Sequence, residues 1–181
     1  FMYGLFSDCS SLTKIPSGLF DRCPEITSLN DVFSGCSGLK EIPSDLFRSC
    51  PEVTSFSHTF AGCTGLSRIP AGLFDHNPLV VTFSGIFKEC TNLTGIPSGL
   101  FDQCTRVTHF DFSFQHCEKL TEIPEGLFDH CPAATYFIMT FQHCICLTAI
   151  PSGLFDSCKK IQSLAATFAD CTQLTGESPY T

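Results

Sequence analysis

Apolar residues in this chain fall at steps of three. Phe6, Cys9, Leu12 and Ile15 make one run, Phe20, Cys23, Ile26 and Leu29 a second, and Phe33, Cys36, Leu39 and Ile42 a third. A half-buried strand alternates at two and an amphipathic helix recurs at 3.6, so neither free element fits. A coil that alternates short extended pieces with single turns around one narrow core does fit. The pattern then repeats every 27 residues, marked by Pro16, Pro43, Pro70, Pro97, Pro124 and Pro151. Ile15 to Ile150, Leu12 to Leu174, the Leu-Phe pairs from Leu19/Phe20 to Leu154/Phe155, and Phe6 to Phe168 form columns on the same spacing. No phase shift accumulates between Pro16 and Pro151, so no copy carries an insertion. Each unit holds two half-units, of 14 and 13 residues, with the same inward pattern.

A fixed period of this size is the mark of a solenoid, in which each coil touches only its neighbours. Leu12 to Ile15 reads as a short extended segment that proline ends by fixing φ and removing a donor. Pro16-Ser17-Gly18 reads as a turn. Leu19 and Cys23, spaced i and i+4, predict one helical turn. Ile26 to Leu29 is the second extended piece, and Asp31 to Cys36 the second turn. The expected architecture is an α/β solenoid: a right-handed coil of six to seven repeats, with short parallel strands stacked about 4.8 Å apart and short helical or 3-10 turns.

Composition bounds the function. The 181 residues suit one domain, taken as 1–181. The sequence has 19 Phe and no Trp, as a core built by repetition allows. A net charge of −8 argues against nucleic acid, which needs a basic stripe, and against an anionic membrane surface. No apolar run approaches the length that spans a bilayer, and no amino-terminal signal sequence is visible. The sequence opens in mid-coil at Phe1 and closes in a frayed coil at Thr181, which predicts a fragment of something longer.

Of the thirteen cysteines, seven form one column (Cys9, Cys36, Cys63, Cys90, Cys117, Cys144, Cys171) and five a second (Cys23, Cys50, Cys104, Cys131, Cys158). The gap in the second column is filled by Asn77. An inward Asn bonds backbone groups freed where a coil turns, and a buried thiol does so weakly. A disulfide or zinc ligand would not exchange for Asn, and paired C-x-x-C spacing is absent, so buried free thiols are the favoured reading over disulfides or metal. Cys146 lies outside both columns, where other coils carry Gly38, Gly65, Asn92, Lys119 and Gln173, and is expected to be the exposed, reactive thiol.

The string Phe114-Gln115-His116-Cys117-Glu118-Lys119-Leu120-Thr121-Glu122-Ile123-Pro124, with Val107-Thr108-His109-Phe110 and their copies, resembles the BspA-like class of leucine-rich repeat. The resemblance covers nearly the whole chain. It implies a non-catalytic protein of the cell surface or secreted space, of the kind found in Bacteroides-like bacteria and some mucosal protozoa, associated with adhesion to host matrix proteins or other cells. The unit here is longer, with Ser-Gly-Leu-Phe-Asp-x-Cys between the two extended pieces. The family carries no fixed binding residues to transfer.

Chemistry is otherwise sparse. His116 and His143 share a column on adjacent coils, about 5 Å apart at strand spacing. They read as two exposed polar residues or, less favoured, as a metal pair, because Gly35, Gly62, Glu89 and Asp170 occupy the same column. Asp21, Asp75, Asp102, Asp129 and Asp156 form another column, read as turn residues ahead of calcium ligands. No nucleophile elbow, P-loop or H-E-x-x-H occurs, so no cofactor or catalytic residue is implied and a hydrolase is a remote alternative. Recognition must then use columns that vary. Lys14, Glu41, Arg68 and Glu122 share one, with Gly95 and Ala149. Ser28, Ser55, Thr82, His109, Tyr136 and Ser163 share another, beside Asp111, Phe112, Ile138 and Met139, a set unusually apolar for outward positions. Phe112, Tyr136 and Met139 are expected to form a contact patch on the fifth and sixth coils. The leading expectation is a module that binds a host-matrix or cell-surface protein, with end-to-end self-association possible. A structural spacer presenting another domain is the alternative.

Overall fold

The computed structural model describes residues 2–175. The features read at Phe1 and Thr181 lie outside the described residues. Six coils (2–27, 28–54, 55–81, 82–108, 109–135 and 136–162) and the start of a seventh from 163 stack in register. From residue 28 on, each coil is tied to the next by a single-residue parallel bridge, through Ser28, Ser55, Thr82, His109, Tyr136 and Ser163.

The three-residue period has a direct backbone cause. Cys9 N–H donates to Phe6 O at 3.2 Å and Leu12 N–H to Cys9 O at 2.9 Å, so each step of three is one closed turn. The same chain of bonds links Phe20, Cys23 and Ile26, and Phe33, Cys36 and Leu39. The turn predicted at Leu19–Cys23 closes in the 3-10 pattern, i to i+3, with Cys23 N–H on Phe20 O at 2.9 Å, and does not extend into a helix. Among the described residues the chain forms serial turns and no helix, and the strands shrink to isolated bridges. Left-handed residues bound the turns. Gly18, Asp31 and Gly35 have φ of 70°, 57° and 73°, and a right-handed helix does not run through a residue of that hand.

The left-handed residues also aim alternate amides at the next coil. Asp31, Phe33 and Gly35 donate to Ser57, Thr59 and Ala61 at 3.0, 2.9 and 2.7 Å. The intervening Ser34 closes a turn on Asp31. In the other direction Thr54, Val81, Thr108, Thr135 and Gln162 donate to the residue one period earlier. Amides of each repeat are thus divided between its own turns and its neighbours, which pairs them inside a dry interior.

That interior is a set of phenyl ladders. Phe6, Phe33, Phe60, Phe87, Phe114, Phe141 and Phe168 stack with centroids 5.4–5.8 Å apart. Phe20, Phe47, Phe74, Phe101, Phe128 and Phe155 stack at 5.8–6.2 Å. A third ladder, Phe56, Phe83, Phe110 and Phe137, fits edgewise against the second. Beside them run the sulfur rows. Cys36, Cys63, Cys90, Cys117, Cys144 and Cys171 each donate from Sγ to the phenylalanine carbonyl thirty residues back, at 3.0–3.3 Å. Asn77 takes the place of a sulfur in the second row and donates from Nδ2 to Phe47 O at 3.2 Å and Cys50 O at 2.9 Å. All thirteen cysteines are free.

Candidate functional site

The bridge column is where the coils differ most. In the early coils it is a closed hydroxyl network. Ser55 donates to Asn30 Oδ1 at 2.6 Å, Asn30 Oδ1 also takes Ser57 N–H at 3.1 Å, and Thr82 donates to Ser84 Oγ at 3.0 Å. These groups satisfy one another. In coils 109–135 and 136–162 the column turns aromatic. His109 and Tyr136 lie in ring contact with centroids 4.9 Å apart. Thr108 Oγ1 and His109 Nδ1 are 2.7 Å apart, which fixes the imidazole, and Tyr136 donates its hydroxyl to Gln162 Oε1 at 2.7 Å.

Phe112 and Met139 lie three residues on from this pair. Both are half-buried, and both have left-handed backbone, with φ of 59° and 53°. Their column holds Gly4, Asp31, His58, Gly85 and Ala166 elsewhere, all at positive φ, a conformation that is free for glycine. A bulky side chain there costs about 1 kcal/mol. The backbone is held regardless of identity, because Phe112 and Met139 donate to Ile138 O and Ala165 O, each at 2.9 Å. Underneath, Asp111 is buried and its carboxylate accepts Ile138 N–H at 2.8 Å. Gln115 Nε2 donates to Gln142 Oε1 at 2.6 Å and lies 3.7 Å from Met139 Sδ. The two coils are therefore cross-linked below the rings, which makes the ledge rigid.

The sequence-predicted residues do not all converge. His109 and Tyr136 touch, and Phe112 and Met139 occupy equivalent places on adjacent coils. Lys14, Glu41, Arg68 and Glu122 are exposed in a separate column, and no ion pair joins them among the described residues. Glu122 lines an open groove with Glu125, Ala149 and Pro151. The aspartates of the turn column fold back over the glycine three residues earlier. At Gly72 (φ 73°) a Cβ would lie 2.9 Å from Asp75 Oδ2, so that turn demands glycine. Asp102 pairs with His130 at 3.2 Å. Cys146 is half-buried rather than exposed, and the exposed thiol is Cys9. Sequence reasoning missed Gln162, and it placed Asp111 beside the column without its buried bond to Ile138 N–H, because both partners come from the neighbouring coil.

A stack of similar coils on a shared phenyl core, with an outer column that varies from coil to coil, defines a repeat solenoid. The chain belongs to the family described as the BspA type leucine rich repeat region, whose profile matches residues 84–174 in six copies. Repeat regions of this class are protein-interaction modules. Among solved structures the chain is similar to the APL1 leucine-rich repeat domain, at 18% identity and TM-score 0.50, over 80% of this chain and 34% of that one. It also resembles a T. pallidum leucine-rich repeat protein (18% identity, TM-score 0.42, 87% of this chain and 80% of that one). A third likeness is to the functional domain of InlJ from Listeria monocytogenes, which includes a cysteine ladder (14% identity, TM-score 0.40, 90% and 36%). The chain spans about a third of the length of the APL1 domains it matches. No curated protein matches it.

Proposed function

We propose that this chain is a non-catalytic protein-binding module of a cell-surface or secreted protein, and that it makes contact with a host-matrix or cell-surface protein through the face of coils 109–135 and 136–162. The observation that carries this reading is the pair Phe112 and Met139. Two large, half-exposed apolar side chains sit where the backbone favours glycine, on successive coils, beside stacked His109 and Tyr136. Strain kept at a partly exposed position supports a role outside folding. Rigid aromatic and apolar residues are the usual anchors of protein interfaces.

The test separates binding from folding. Phe112→Gly and Met139→Gly relieve the left-handed backbone, and Tyr136→Ser restores the residue of coils 28–54 and 55–81. The triple variant should unfold within about 1 kcal/mol of the parent, because the strain relieved offsets the partial burial lost. Its adhesion to immobilised matrix proteins and to cells should fall by at least about tenfold, the effect of losing one hot-spot anchor. Undiminished adhesion would remove this face from the interaction and leave the spacer reading.

A further inference from the structure

A second feature of coils 109–135 and 136–162 is independent of the adhesion reading. The imidazoles of His116 and His143 face each other across the two coils, with centroids 4.5 Å apart and planes inclined by 38°. Glu118, two residues beyond His116, brings its carboxylate to the same point. One ligand atom from each of the three lies within 4.8 Å of the other two. Donor atoms about a tetrahedral zinc ion at its usual bond lengths sit about 3.4 Å apart, so rotamer adjustment alone closes the set.

The backbone holds the donors in place. His116 and His143 have φ of 58° and 59°, and each donates its amide across to the next coil, to Gln142 O and Ala169 O, at 2.8 Å. All three side chains are half-buried, and so partly shielded from bulk water. The column continues into Glu89 on one side and Asp170 on the other. Glu89 lies 3.4 Å from Lys88 Nζ, while Asp170 is exposed. These flanking carboxylates favour a cation at the pair.

We propose that His116, Glu118 and His143 form a binding site for a divalent transition metal of the zinc type, bridging two coils. Two imidazoles and one carboxylate suit such an ion better than calcium or magnesium, which select oxygen. Three protein ligands leave at least one coordination position for water or for a group from another molecule. The sulfur rows do not compete, because their thiols point into the phenyl core and donate to carbonyls.

The experiment is titration of the reduced protein with Co²⁺ followed by visible absorption, then displacement by Zn²⁺. One equivalent should bind with ligand-field bands and no thiolate charge-transfer band. His116→Gly and His143→Gly should each weaken Co²⁺ binding at least about tenfold, since loss of a mere outer-shell partner already costs 10- to 100-fold. Glycine already stands in this column at Gly35 and Gly62, so both variants retain a permitted backbone. In the parent protein, Zn²⁺ should shift the ring resonances of His116 and His143 and leave those of His76 unmoved. Absence of binding, a thiolate band, equal affinity in both glycine variants, or unmoved His116 and His143 resonances would each overturn the site.

Discussion

The sulfur rows make alkaline pH the sharpest probe of this interior. Burial raises the thiols of Cys63 and Cys104 from the ordinary 9.0 to about 12, and pushes those of Cys90, Cys117, Cys131 and Cys144 well above 9.0. Neighbouring sulfurs or carboxylates add to the effect of burial in each case. Above pH 9 the unfolded chain releases these protons and the folded chain keeps them, so stability falls as pH rises. Below pH 9 the contribution is complete and flat. At pH 10, one unit above the unfolded value, each thiol has cost the fold about 1.4 kcal/mol. Six of them cost about 8 kcal/mol, comparable with the entire stability of an ordinary domain, about 5–15 kcal/mol. Urea unfolding followed by far-ultraviolet circular dichroism, with thiols kept reduced, should show a level stability from pH 7 to 8 and near collapse by pH 10. Cys90→Ala should make the alkaline slope shallower by one proton. At neutral pH a thiol reagent should label Cys9, Cys23 and Cys146 first, since only these three are not buried. A stability that changes by less than about 2 kcal/mol between pH 8 and pH 10 would refute the claim that the sulfurs sit in a dry core.

Two further perturbations test the stack. Phe87→Ala removes a fully buried ring sandwiched between Phe60 and Phe114 and should cost about 3–5 kcal/mol, whereas Phe6→Ala, half-buried and stacked on Phe33 alone, should cost about half as much; equal costs in urea titrations would contradict nearest-neighbour packing. Asn77→Cys surrenders two amide bonds but removes a buried Oδ1 that has no partner, so stability should move by less than about 1 kcal/mol, while Asn77→Asp sets a carboxylate against two carbonyls and should cost more than about 3 kcal/mol in thermal unfolding; similar effects of the two would mean that residue 77 does not face the carbonyls of Phe47 and Cys50 in a dry core.

The columns were legible because packing leaves them no freedom. A phenylalanine that stacks on its copy 27 residues away must recur in register, and an Asn in a cysteine row identifies an inward donor before any coordinates are known. What the sequence concealed was the hand of the backbone. Leu19 and Cys23 satisfy a helical i, i+4 spacing equally well whether the chain makes one α-helical turn or the two serial turns Gly18–Asp21 and Phe20–Cys23 that open on the left-handed Gly18. Residues such as Asp31, His58, Phe112 and Met139 adopt a glycine-like φ because cross-coil amide bonds impose it, and no local preference of their own announces it. Cys9 misleads for a related reason. Its column points inward, but each sulfur of that row reaches back to the preceding coil, as Cys36 does to Phe6 O, and the described chain has no coil before Cys9.

The same division explains where function resides. Identity is strict wherever a side chain faces its own copy, and free wherever only the backbone is repeated. Left-handed positions belong to the second kind: the coil fixes their direction and leaves their chemistry open. Gly85, Phe112 and Met139 follow one another in one such column, and Glu89, His116 and His143 in the other. Each column therefore presents a row of side chains at one fixed angle, a coil's height apart, from a framework that does not move when they are changed. Such a framework can vary its anchors or its metal donors one coil at a time without disturbing the phenyl ladders beneath.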